Sequence, residues 1–193
     1  MTGASDEPAS DEPASDESAP DVLPPDDRDW TWVLERPCPD CGFDASAGTR
    51  DGLGAEVRAV SARWATVVGA DDVRVRTRPD RWSALEYGCH VRDVLRLADV
   101  RLGLLIDEDD PVFTNWDQDE TAVADRYDLQ DPEVVRGELL VAAEVLAIRL
   151  DSVQEGQWGR TGTRSNGSPF SVESLARYIV HDPVHHLWDV SGT

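Results

Sequence analysis

Lysine is missing from the 193 residues: all 18 basic side chains are Arg, and 39 Asp and Glu bring the net charge to −21. Affinity for a phosphate backbone comes from cationic surface and released counterions, so no nucleic-acid partner is expected. Cysteine is scarce too, and an odd count of three builds no disulfide framework. Reduced thiols in a cytoplasmic setting are the expectation. No run reaches the roughly 18 apolar residues of a membrane helix. The first residues carry acids and Pro where a secretory leader would have a basic and then an apolar stretch, so neither leader nor membrane is expected. The 40% hydrophobic content that remains is ordinary for one globular domain.

The charge is unevenly distributed. From Ala4 the chain repeats ASDEP, ASDEP, ASDES, and residues 1–29 carry ten acids against one Arg, leaving −12 on residues 30–193. With Met1, Val22 and Leu23 as its large apolar side chains, the first segment cannot bury enough surface to offset its ordering entropy. It is expected to be a disordered acidic tail, with the folded domain spanning 30–193.

Within that domain the apolar period is helical. Val57, Val60, Trp64 and Val67 or Val68 recur at three- and four-residue spacing before Gly69. Ser83 and Glu86 form a capping-box pattern opening a second helix to about Ile106, with Arg92, Asp93, Arg96 and Asp99 on its polar side. Asp131-Pro132-Glu133 starts a third, and Ser171 a fourth that runs to about Val190. The one alternating stretch, residues 73–77, is too short to found a sheet. The expected fold is all-α, a four-helix bundle with two long loops at 108–130 and 154–170. Loops of that length usually carry function or are disordered.

All four histidines fall in these helices. His181 and His185 are four apart and share a helix face, the geometry by which two imidazoles reach one ion. His90 lies on the apolar side of the second helix near Val94 and Leu97. His90, His181 and His185 would make a three-nitrogen metal site with open positions; the alternative is hydrogen-bonded core or solvated histidines. Pro183 can kink the helix between the pair, and His186, about 100° from His185, falls to packing or the rim. Asp189 and Glu86, each one turn from an expected ligand, could orient a ring.

The segment Tyr-Gly-Cys-His-Val-Arg-Asp around His90, followed by His-Asp-Pro-Val-His-His-Leu-Trp-Asp from His181, resembles the DinB-like family of four-helix-bundle metalloproteins. The resemblance covers residues 30–190. It implies a divalent metal, zinc or nickel, held by His90, His181 and His185. In the wider superfamily it points to transferases of low-molecular-weight thiols such as bacillithiol or mycothiol, and to the mycothiol-dependent maleylpyruvate isomerase. The implied chemistry is a metal-bound thiolate attacking an electrophilic small-molecule substrate. The isomerase has Glu in the fourth-helix pair where this chain has His181, which argues against that particular reaction. A metal-dependent hydrolase and a non-catalytic, stress-associated metal-binding protein are the alternatives, and a homodimer is left open.

Two features stand apart. Arg160 and Arg164 form the cationic stretch nearest in sequence to the last helix, and could hold a substrate carboxylate or pair with acids such as Asp117 or Glu120. Cys38-Pro-Asp-Cys41 is half of a zinc knuckle without a second half in sequence, and redox or structural roles stay open beside it.

Overall fold

In the computed structural model, Leu23 and residues 28–191 are described; nearly all of the expected acidic tail lies outside them. Four long helices build the bundle: α1 (Leu53–Val68), α2 (Ala84–Asp107), α4 (Pro132–Ser152) and α5 (Val172–Ser191). A shorter α3 (Gln118–Ala124) lies in the connection between α2 and α4. Helix α4 packs on α1 and α2, and α5 closes the bundle against the same two.

The helix starts follow local chemistry. Ser83 accepts from the Glu86 amide while Glu86 accepts from the Ser83 amide at 2.8 Å, so the capping box is complete. Asp131 caps α4 through the Glu133 and Val134 amides ahead of Pro132. Trp64, fully buried on α1, donates its indole N–H to the Pro183 carbonyl at 2.9 Å and ties α1 to α5. Helix α5 continues without interruption through Pro183.

Two expectations need correction. The long loops carry a small three-stranded sheet: β1 (Val112–Phe113) pairs parallel with β2 (Thr161–Arg164), which pairs antiparallel with β3 (Pro169–Ser171). Gly162 is required at this junction, since a Cβ there would meet the Pro111 carbonyl at 2.7 Å. The sheet joins the two loops across the end of the bundle, while residues 73–77 form no strand. Arg92, read as part of a polar face, is buried. Its guanidinium holds Asp93 by two 2.9 Å bonds and also reaches Gln130 and Glu138. Tyr127 donates to Asp93 at 2.6 Å, so this network fastens the end of the α2–α4 connection to α2.

Glu86 has a second task, because it also accepts from Arg76 at 3.0 Å. Burial alone would raise its carboxyl, but Arg76 and the Ser83 amide outweigh burial and hold it below the ordinary value. A depressed folded-state pKa contributes stability above the unfolded value that is lost as pH falls through the folded one. Glu86→Gln is therefore expected to cost about 1–3 kcal/mol at pH 7, with the gap to wild type narrowing on acidification, as read by urea unfolding at both pH values.

Candidate metal centre

The seam between α2 and α5 gathers the titratable groups. On α2, His90 shares a helix face with Val94, Leu97 and Arg101. On α5, Tyr178, Asp182 and His186 occupy one stripe, and His181 and His185 a second, about 100° round the axis.

The first stripe meets His90. One ligand atom each from His90, Asp182 and His186 lie within 4.8 Å of one another. His90 Nε2 is 3.4 Å from an Asp182 oxygen, and His186 Nε2 is 3.8 Å from Asp182 Oδ2. Donors about 2.1 Å from a shared ion stand roughly 3.0–3.4 Å apart, a range that the His90–Asp182 distance meets and the His186–Asp182 distance slightly exceeds. Asp182 Oδ1 and His90 Nδ1 are buried without a hydrogen-bond partner. Burial would raise the Asp182 carboxyl, but His90 and His186 outweigh it and hold it down at about 2, so it is ionised at neutral pH. Trp116 stacks on His90 at 5.6 Å with rings 14° apart, and Trp82 and Tyr87 line the other sides.

The second stripe faces the segment that precedes α1. Ligand atoms of Cys38, Cys41, His181 and His185 also fall within 4.8 Å of one another. Burial, followed by the neighbouring His185, lowers His181 to about 4, leaving its imidazole neutral at pH 7. Burial also lowers His185.

The three expected ligands are thus divided between two groups: His181 and His185 stay together, while His90 faces Asp182 and His186. The segment His-Asp-Pro-Val-His-His contains two interleaved i, i+4 pairs, and a helical wheel alone does not say which pair is turned toward α2. The sequence does not single out Asp182 and assigns His186 to packing or the rim, because two histidines are the stronger motif in isolation.

The surrounding residues follow the same division. Asp189 accepts from Arg81 at 2.7 Å and contacts His186 Nδ1 at 2.9 Å, but lies 3.9 Å from His185 Nε2. It orients His186 in place of His185, accepting from Nδ1. Glu86 is occupied by its capping box and Arg76. Arg160 binds the Leu105 and Glu108 carbonyls and Asp109 at the end of α2, which commits it to closing that helix. Arg164 instead lies near Tyr178 and Arg101. Arg101 is bonded to the Thr114 carbonyl with its Nε buried and unpartnered. Asp29 lies close enough to Arg164 to feel its charge.

Loss of an outer-shell carboxylate typically costs 10–100-fold in affinity. Asp189→Asn is expected to weaken binding of one divalent ion by about that factor, measured by competition with a chromogenic chelator, with helix content by circular dichroism unchanged.

No curated protein matches the sequence. A solved structure, that of YfiT from Bacillus subtilis, described as a probable metal-dependent hydrolase with an unusual four-helix bundle topology, aligns with a TM-score of 0.66 at 16% identity. The alignment covers 76% of this chain and 90% of that one, and it establishes the bundle topology. The family profile for the DinB superfamily matches residues 56–190, which takes in His90 and all of the α5 histidines. The chain belongs to the DinB superfamily.

Proposed function

We propose that this chain is a metal-dependent enzyme in which His90, Asp182 and His186 hold a divalent ion, zinc or nickel, at the α2–α5 seam. The observation that carries the reading is the convergence of two imidazoles on an ionised carboxylate, one oxygen of which is buried without a hydrogen bond. A divalent cation bound there with an open position would lower the pKa of a thiol or water. Three protein donors leave such a position free.

The protein's own groups supply the rest. Trp82 and Trp116 flank His90 and limit access of bulk water. Arg164 and Arg101, set around Tyr178 one turn from Asp182, are placed to bind an anionic group of a substrate or thiol cofactor. Transfer of a low-molecular-weight thiol such as mycothiol to an electrophile is the favoured reaction. The family resemblance supports it. Hydrolysis is the second reading, supported by the description of YfiT.

With metal-loaded protein, mycothiol and a carboxylate-bearing electrophile, thioether formation well above the chelator-treated control is expected; ester cleavage without thiol would shift the assignment to hydrolysis. His90→Ala and Asp182→Asn should abolish either activity and remove one metal equivalent. Unchanged activity in both would reject the site. Arg164→Met is expected to raise KM for the anionic substrate by about 10–100-fold, the worth of one charge-assisted hydrogen bond, with kcat changed much less.

A further inference from the structure

We infer that Cys38, Cys41, His181 and His185 form a second, structural zinc site, which clamps the segment preceding α1 onto α5. The donor set is two thiols and two imidazoles, a combination that closes a zinc ion tetrahedrally and leaves no position for substrate. Cys38 Sγ lies 3.6 Å from His185 Nδ1. Zn–S bonds of about 2.3 Å and Zn–N bonds of about 2.0–2.1 Å meeting at the tetrahedral angle place sulfur and nitrogen about 3.6 Å apart. His181 Nε2 is buried with no hydrogen-bond partner, and its ring is flanked by Trp30 and Phe43, which offer it no acceptor. Leaving a polar atom this way carries a desolvation penalty that coordination removes.

The thiols are held by a turn built for the purpose. Gly42 adopts φ +74°, its amide bonds to the Cys38 carbonyl at 2.9 Å, and the Cys38 amide returns to the Phe43 carbonyl at 2.8 Å. This reversal brings both sulfurs within reach of the α5 imidazoles. Binding converts two thiols to thiolates and releases their two protons to solvent.

Both cysteines precede residues 56–190, the part shared with the superfamily, so the clamp is assembled from an added segment and one stripe of a common helix. Among its described residues that segment has 3-10 turns at Thr31–Leu34 and Arg50–Gly52 as its regular structure. Among those residues Val33, Cys38 and Ala45 are its buried hydrophobic side chains, so it needs a cross-link more than the bundle does.

Full-length protein purified without a histidine tag, stripped and reloaded with cobalt, provides the test. A thiolate-to-cobalt charge-transfer band and intense tetrahedral ligand-field bands are expected. The Cys38→Ser/Cys41→Ser double variant should lose them, while His90→Ala, which disables the other group, should keep them. Zinc content should fall from about two equivalents to about one in either variant. Absence of the charge-transfer band from the reduced wild-type protein would overturn the inference, and this result does not depend on the serine variant folding. A Cys38–Cys41 disulfide in the freshly isolated protein, with zinc content unaffected by its reduction, would overturn it equally. Because the two groups are read by different variants, failure here leaves the α2–α5 centre standing, and the reverse.

Discussion

Successive residues on an α-helix are turned by about 100°, and α5 uses that rotation to serve two surfaces. Tyr178, Asp182 and His186 face α2, whereas His181 and His185 face the chain that comes before α1. The offset depends on the rotational setting of α5, fixed in part by the Trp64 indole on the Pro183 carbonyl between the two pairs. A small rotation of α5 would withdraw Asp182 from His90 and His185 from Cys38 together. The bundle core therefore does more than supply stability: it sets the phase at which five titratable side chains are presented.

Electrostatics divides the same region by burial. Asp182 and Asp189 stay ionised because imidazoles or Arg81 lie against them, while His181 stays neutral because it is buried. An anionic and a neutral donor set thus sit one residue apart on one helix. In a chain rich in acids, Arg carries every fixed positive charge, and much of it is spent on architecture. Arg92 binds the α2–α4 connection, Arg160 closes α2, and Arg58 bridges α1 to Glu144 and Asp151 on α4.

Much of the architecture was legible in the sequence. Four helices, the Ser83–Glu86 box and the Asp131-Pro132 start follow from local chemistry that acts within one turn. The small sheet was not legible, since its strands are two to four residues long and join segments about 50 residues apart. The burial of Arg92 escaped the helical wheel because its compensation comes from Gln130, Glu138 and Asp93 acting jointly. At the two donor clusters the histidines were readable and their grouping was not. Cys38-Pro-Asp-Cys41 looked like half a motif because the chain places the histidines it meets far away, on α5.

That separation has a kinetic consequence. Cys38 and His185 are 147 positions apart yet 3.6 Å apart in space. During synthesis the N-terminal turn emerges first and must wait for almost the whole domain before its docking surface exists. Contacts of such long range form after local helices have condensed, because the entropy of closing so large a loop is recovered only when the far end is already ordered. The segment around Cys38 is accordingly a late-joining element, and its docking on α5 reports that the bundle beneath it is complete.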